Sequence, residues 1–429
     1  MQALGEGKPL RLALSGALAG DPSLGPKERR HVAVAARGVA RWLRACDAAL
    51  LRAGAPRPIP ADRALLRYLA WRVAVLGEPA ADVAHALRLP GPRRPRALGD
   101  DALREVAGRM PLPGPLGPLA REPGGAPVAP PSDPATALGL RHSVPDAMAR
   151  RLLRDLGPVG ADACLAALNR EPLLALRVNA SRATRAEVLA ELRGRGIPAR
   201  AGAGPWAVRV DDRAGLFDAP VLRDGRAEVQ DESSQAAVLA CRARPGERWL
   251  DLCAGSGGKS LALAALGAEV VAWDASPRRL AELPRRARRA GVRIRVASRP
   301  PEGEFDGVLV DAPCSGSGAL AREPDARWRV DEAAVGRFQG LQLEVLRAGA
   351  ERVRPGGTLV FATCSVFREE GEEAVDRFLA AEPSFRLAAA SRRWPHLHPG
   401  AGFYVARLRR AAKGKGRART RLTTPGGAR

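Results

Sequence analysis

The feature that most limits how this chain can fold is an alternation that begins at Gln230. Short strand-like runs at Arg248–Leu252, Val270–Trp273, Val292–Val296, Gly307–Val310 and Thr358–Thr363 are mostly separated by helical segments. Strands joined through helices must cross over and not fold back, so they run parallel, with helices on both faces of the sheet. The expectation for 227–410 is therefore a Rossmann-like α/β domain with a mostly parallel sheet. In such sheets ligands gather at the carboxyl ends of the strands, and the residues there are the ones to read for chemistry.

The first such end is the run Trp249-Leu-Asp-Leu-Cys-Ala-Gly-Ser-Gly-Gly-Lys-Ser260. Gly255, Gly257 and Gly258 allow a sharp turn and close approach of the backbone to a ligand. Three nucleotide readings compete. A phosphate-cradling loop needs glycine at 253, which is Cys253, and a dinucleotide loop needs a third glycine at 260, which is Ser260. The third reading is S-adenosylmethionine. It fits Asp251 at the strand end, because the amino group of that ligand is cationic, and Asp274 after the next strand, where a carboxylate can accept both ribose hydroxyls.

Two further strand ends carry cysteines. One strand runs into Asp311-Ala-Pro-Cys-Ser-Gly-Ser-Gly318, another into Thr363-Cys364-Ser365. Alone, either thiol reads as a small buried side chain. Together, at strand ends beside a glycine loop and a carboxylate, they read as chemistry. C5 of cytosine is a poor nucleophile. A thiolate adding at C6 makes C5 enamine-like and able to attack a methyl donor. A carboxyl group such as Asp311 suits protonation or hydrogen bonding at N3. The target base must be unstacked, which favours single-stranded or flipped cytosine.

The remainder of the chain divides by pattern. Residues 1–110 read as a small all-α domain, with Val32, Ala35, Val39, Trp42 and Leu43, then Leu65, Leu66, Leu69, Val73 and Leu76, at helical spacing. Residues 111–134 are dense in Pro and Gly and read as a linker. Residues 135–226 read as an α+β module: helices over Asp146–Leu156, Gly160–Leu168 and Arg185–Arg195, strands over Leu174–Val178 and Trp206–Val210. Residues 411–429 are a basic tail expected to be disordered.

Charge selects the partner. Lys+Arg number 69 against 46 Asp+Glu, a formal net charge of +23, which points to a polyanion and first to nucleic acid. A GC-rich coding bias explains arginine over lysine, but not bases over acids. Six cysteines without a CxxC pair read as free thiols of a reducing cytoplasm, not as a zinc site or disulfides. Leu10–Gly20 is only weakly apolar and carries Arg11, so neither a signal segment nor a membrane span is expected. A cytoplasmic monomer without bound metal is the expectation.

At these motifs the sequence resembles the RsmB/Sun family of RNA cytosine-5 methyltransferases. Val229-Gln-Asp-Glu-Ser-Ser-Gln235, Asp251-Leu-Cys-Ala-Gly-Ser-Gly-Gly-Lys259, Asp311 to Gly318 and Ala362-Thr-Cys-Ser365 match its signatures in order and spacing. So do Pro324-Asp325 with Trp328, Pro355-Gly-Gly-Thr-Leu359 and Gly402 to Arg407. The resemblance implies a class I methyltransferase domain with Cys364 as nucleophile and Cys314 assisting product release. Asp311 would lie between cytosine and cofactor. Cys253, Ala254, Gly255, Ser256, Gly257, Gly258, Lys259, Asp274 and Ser298 would hold S-adenosylmethionine. It also implies an RRM-like module around Glu171 to Asn179, with Arg177 and Asn179 on RNA, a further RNA contact at Arg322, and a NusB-like helical domain ahead of it. The implied substrate is ribosomal RNA, 16S rRNA first.

Three departures stand out. Gly255-Ser256 replaces the family's Ala-Pro. The acid that meets adenine after the third strand is absent, leaving Ser298 or Arg299. Glu369-Glu370-Gly371 stands where the family has Glu-Glu-Asn. An RNA-binding ribosome-biogenesis factor with a degenerate catalytic domain is the alternative reading, opposed by the intact Cys314, Cys364 and Asp311. A small-molecule methyltransferase is disfavoured by the charge and the N-terminal modules.

Overall fold

The computed structural model describes residues 9–19, 24–52, 60–79, 83 and 131–412. Most of the linker, the part of the expected helical pattern beyond Pro79 except Val83, and nearly all of the basic tail lie outside the described residues.

The first described elements are helices α1 (Leu10–Ala19), α2 (Pro26–Arg41), α3 (Leu43–Arg52) and α4 (Pro60–Ala70). The apolar stripes of α2, α3 and α4 converge on Val39, Cys46, Leu50, Leu66 and Leu69, with Trp71 just past the end of α4. Next come α5 (Pro134–His142) and α6 (Asp146–Leu168). Asp133 caps α5, accepting from the backbone N–H of Ala135 and Thr136. The long α6 is two helices joined at Gly157, whose φ of 67° breaks the helical path just before Pro158. That is the division into 146–156 and 160–168 expected from the sequence.

A four-stranded antiparallel sheet follows. Its strands are β1 (Leu174–Val178), β2 (Ala199–Ala201), β3 (Ala207–Val210) and β4 (Ala227–Val229), in the order β2-β3-β1-β4, with α7 (Arg185–Gly194) crossing between β1 and β2. Val188 and Leu192 of α7 pack on Leu176, Val178 and Val208. The strands β2 and β4, three residues each, have no counterpart in the sequence reading: strands this short carry too few alternations to register.

The larger sheet has seven strands. In sequence these are β5 (Arg248–Asp251), β6 (Glu269–Ala272), β7 (Ile294–Val296), β8 (Phe305–Asp311), β9 (Val353–Thr363), β10 (Phe385–Arg393) and β11 (Phe403–Arg410), in the order β10-β11-β9-β8-β5-β6-β7. The five strands from β9 to β7 are parallel, and β11 and β10 add antiparallel. Helices α8 (Glu232–Cys241), α9 (Gly258–Ala265) and α10 (Leu283–Ala290), then α11 (Glu332–Glu351) and α12 (Glu372–Ala381), join and cover them. The sheet is buried on both faces. Leu250, Val308, Val310 and Phe361 lie in one cluster with Leu346 and Phe378. Trp249, Leu309, Val360 and Ala362 lie in another with Ala237 and Leu263. Gly307 sits under the Trp249 ring, and a Cβ there would come within 2.4 Å of it, so only glycine admits that packing.

The segment Pro324–Arg329 clamps the parts together. Arg327 is fully buried, and its Nη1 donates to the carbonyls of Arg41, His142 and Ser143 and to Asn169 Oδ1. Trp328 Nε1 donates to Ala40 O at 2.7 Å, and Leu10 N donates to Asp325 Oδ2 at 2.9 Å. Burial pulls the Arg327 pKa down to about 9. Among the described residues no helix is long and apolar enough to cross a membrane.

Candidate active site

The glycine loop forms where β5 meets α9. Gly257 precedes the helix with φ 81°, and a Cβ there would strike Leu283 at 2.2 Å, so the turn requires glycine on both counts. The loop and its flanks line a cavity of about 250 Å³ bounded by Gln230, Asp251, Cys253, Ser256, Lys259 and Asp311. Asp251 is buried. Ser260 Oγ donates to its Oδ2 at 2.6 Å, and its Oδ1 has no partner. Burial pushes the Asp251 carboxyl up to about 7, against the hydrogen bond from Ser260.

Asp274 follows β6. It accepts from Gly255 N at 2.8 Å and Ser276 N at 2.9 Å, and Arg279 lies 3.3 Å from its Oδ2. The two carboxylates expected from the sequence are therefore both at strand ends beside the glycine turn, each with a backbone or hydroxyl donor fixing its orientation.

The parallel register carries Asp311 and the cysteine loops to the same sheet edge. Asp311 pairs with Ala362 across β8 and β9. Cys314 Sγ and Cys364 Sγ are 3.4 Å apart. Lys259 Nζ donates to Asp311 Oδ2 at 2.5 Å and lies over the Phe403 ring. Burial works against the charge on Lys259, but Asp311, Asp251 and Cys364 outweigh it and hold it protonated. Within the thiol pair the two pKa values separate. A hydrogen bond from Cys314 lowers Cys364, burial and Asp311 oppose it, and Lys259 and Arg322 assist. Cys314 is raised well above a free thiol, by that same hydrogen bond and then by burial. The pair is biased toward a thiolate at 364 and a thiol at 314.

A carboxyl group with no role in the sequence reading holds the two cysteine loops. Glu370 is fully buried and accepts from Ser315 N at 2.7 Å, Ser315 Oγ and, at 2.6 Å, Ser365 Oγ. Gln342 of α11 joins it at 3.4 Å. Burial raises its pKa, opposed by the hydrogen bonds from Ser315 and Ser365. Below this network Ser317 Oγ meets Ser365 Oγ at 2.9 Å, and Gly318 N donates to Cys364 O at 3.0 Å. Gly318 lies backbone to backbone on Gly402, where a Cβ would come 2.0 Å from Gly402 O. The signal for Glu370 is the serine following each cysteine, since the two hydroxyls need a shared acceptor once brought together.

The remaining expected site residues fall elsewhere. Ser298 is exposed after the edge strand β7, outside the 250 Å³ cavity. Arg177 and Asn179, expected on RNA, are buried and occupied. Arg177 Nε donates to Gln230 Oε1 at 2.7 Å, and burial lowers its pKa to about 10. Asn179 Nδ2 donates to Gly225 O at 2.9 Å and Ala290 O at 2.8 Å, so it ties the small sheet to α10. Arg177 lies in β1, an inner strand of the small sheet, and Asn179 directly follows it, so both side chains serve joints and not a surface. Arg322 keeps a solvent face, pairs with Asp231 and borders a cleft of about 320 Å³ with Arg170, His396 and His398. Cys46, Cys164 and Cys241 are buried free thiols away from this edge, and no group of residues suited to a metal ion occurs among the described residues.

Fold and site together define a methyltransferase domain carried behind a ferredoxin-like module. Residues 237–409 match the family model for 16S rRNA methyltransferase RsmB/F, and 144–215 match the ferredoxin-like domain of RsmF/B-like methyltransferases. The domain formed by residues 237–409 belongs to the RsmB/F methyltransferase family. It is 35% identical over 258 residues to ribosomal RNA small subunit methyltransferase B of Klebsiella pneumoniae, covering 56% of this chain and 60% of that one. The Thermus thermophilus protein of the same name is 41% identical over 182 residues, 42% of this chain and 46% of that one. The matches thus span about three fifths or less of these relatives' length. In fold the chain is similar to the crystal structure of PH0851 (TM-score 0.76, 24% identity, 94% and 96% covered). It is also similar to NSun6 from Pyrococcus horikoshii (TM-score 0.57, 18% identity, 63% and 99% covered).

Proposed function

We propose that this chain transfers a methyl group from S-adenosylmethionine to C5 of a cytosine in ribosomal RNA, through a covalent bond between Cys364 and C6. The observation that carries the reading is the thiol pair: two cysteines 3.4 Å apart at adjacent strand ends, polarised in opposite directions, beside Lys259 and Asp311.

The glycine-loop cavity fits the cofactor. Asp251 brings to it a buried carboxylate with an unpartnered oxygen, suited to a cationic amino group, while Asp274 stands behind the wall, bonded to the N–H groups of Gly255 and Ser276, and would have to turn an oxygen outward to meet hydroxyls. Cys253, Ala254, Gly255, Ser256, Gly258 and Lys259 would complete the walls. When bound, the cofactor supplies an electrophilic methyl group.

The chain's own residues do the rest. The Cys364 thiolate adds to C6 while the Lys259–Asp311 pair supplies the proton or hydrogen bond at N3, leaving electron density at C5. Once sulfur 364 is bonded to carbon, its negative charge is gone. The repulsion and hydrogen bond that kept Cys314 protonated vanish with it, and Cys314 can become the base that takes the C5 proton. Loss of that proton restores the double bond and expels the thiolate of Cys364.

Methyl transfer from labelled cofactor to unmodified rRNA tests the reading. Incorporation that survives bisulfite treatment as 5-methylcytosine is the expected result. RNA binding without transfer would instead favour a catalytically degenerate RNA-binding factor.

A further inference from the structure

At the opposite end of the large sheet from the cysteines lies a second polar cavity, of about 350 Å³. Thr358, on its wall, is on the same strand as Thr363 and five residues before it, so roughly 17 Å separates this cavity from the catalytic edge. Five arginines line it: Arg242 and Arg244 after α8, Arg354 and the β11 residues Arg407 and Arg409. Two acids are also present, but both are engaged. Glu247 accepts from Arg244 N and Trp249 Nε1, and Asp306 accepts from Arg248 N and Arg354 Nε. Arg409 donates to Thr358 Oγ1 at 2.7 Å. Among the described residues no carboxylate meets the guanidinium of Arg242, Arg244 or Arg407.

Two observations say this crowding is built and not incidental. Arg407 and Arg409 alternate along β11, so both guanidinium groups rise from the face that α8 covers. There burial and the neighbouring Arg242 and Arg409 depress the Arg407 pKa. Arg242 itself sits at φ 51°, ψ 36°. Only it and Ser143 among the described non-glycine residues have positive φ. Glycine would hold that helix end without strain. An arginine held there instead brings one of the five cations to the cavity at the expense of backbone comfort.

We propose that this cavity is an anchor for the phosphodiester backbone of the RNA, gripping it well away from the base under attack. Clustered arginines in a concave, solvent-open site lower their mutual repulsion by taking up phosphate oxygens, and they match those oxygens bidentately. The chain's +23 charge favours a polyanion over a free ion as the source of the phosphate. The proposal rests on the chain acting on RNA, but not on its transferring a methyl group.

The test measures binding of a fluorescein-labelled fragment of unmodified rRNA across a salt series, using the full chain and the double variant Arg242→Gly/Arg407→Gln. A second variant, Arg242→Gly/Arg244→Gln, changes only exposed side chains. The charge-matched control is Arg377→Ala/Arg386→Ala. The expected result is an RNA Kd raised about tenfold, and a salt slope reduced by about 0.7 for each phosphate that is no longer held. The melting temperature of both glycine-bearing variants should hold or rise, and kcat at saturating RNA should stay unchanged. Affinity equal to that of the control overturns the proposal, even if methyl transfer is normal. Stabilisation of the wild-type chain by inorganic phosphate, abolished in the variant while RNA affinity is unchanged, overturns it too, in favour of a small-anion site. Weakened RNA affinity in a chain that transfers no methyl group upholds this site and sinks the catalytic reading.

Discussion

Cys364 and Cys314 are chemically alike and differ only in surroundings, which is where the separate duties proposed for them come from. Lys259 and Arg322 lie on the side of Cys364, while Glu370 adds repulsion on the side of Cys314. Replacing Cys364 by alanine removes the thiol biased toward the anion, and transfer should fall below detection. Replacing Cys314 by alanine removes the base needed for elimination. A protein–RNA adduct should then accumulate, visible as a slow band on a denaturing gel; exchange of the two phenotypes would reverse the assignment. Asp251 gives a pH signature. Its pKa is raised to about 7, so it is charged above that pH and neutral below. A cationic ligand group favours the charged form, so cofactor affinity should weaken as pH falls through 7, by up to about tenfold per unit. Calorimetric titration at pH 8 and pH 6 measures this, and Asp251→Asn should bind more weakly at pH 8 with the pH dependence flattened.

The elements that matter most are the two loops leaving β8 and β9, and Glu370 is what makes them one unit. Its removal by alanine strands the half-buried N–H and hydroxyl of Ser315 and the buried hydroxyl of Ser365, at a cost of about 3 kcal/mol. Glu370→Ala should therefore lower the melting temperature and slow transfer, whereas Glu370→Gln should retain part of both, as measured by thermal melts beside single-turnover kinetics. The strands β5, β6 and β8 are legible in the sequence because they are central, apolar and bounded by glycine or acid, and their ends deliver Asp251, Asp274 and Asp311. The antiparallel strands β10 and β11 are not. In β10 the residues Arg386 to Ser391 are exposed, and in β11 the apolar run Phe403 to Ala406 is only four residues long before Arg407, Arg409 and Arg410 interrupt it. Glu370 is hidden for a different reason. Its importance depends on two loops 50 residues apart meeting, and no local pattern encodes that. Arg177 and Asn179 are visible as residues but not as joints, because burial of a polar side chain is a property of the neighbours that cover it.

At the scale of the molecule, the order of parts is readable from composition and periodicity, and the way they are fastened is not. The fastening runs through Pro324–Arg329, where Arg327 gathers carbonyls from α2 and the turn after α5. Arg327→Ala leaves these acceptors buried and unpaired and should destabilise the chain by about 3 kcal/mol. Hydrogen exchange should show the weakening first in α2 and α5 and not in the central strands; uniform weakening across the seven-stranded sheet would contradict this.

That clamp has a further consequence for how the molecule works. Pro324–Arg329 begins six residues after Gly318, the residue whose N–H holds the Cys364 carbonyl. The amino-terminal helices are therefore tied, through one guanidinium and one indole, to the stretch of chain that holds the Cys364 carbonyl. The leading helices and the loop that carries Cys364 thus share one short strap of chain, so strain at either end is borne at the other.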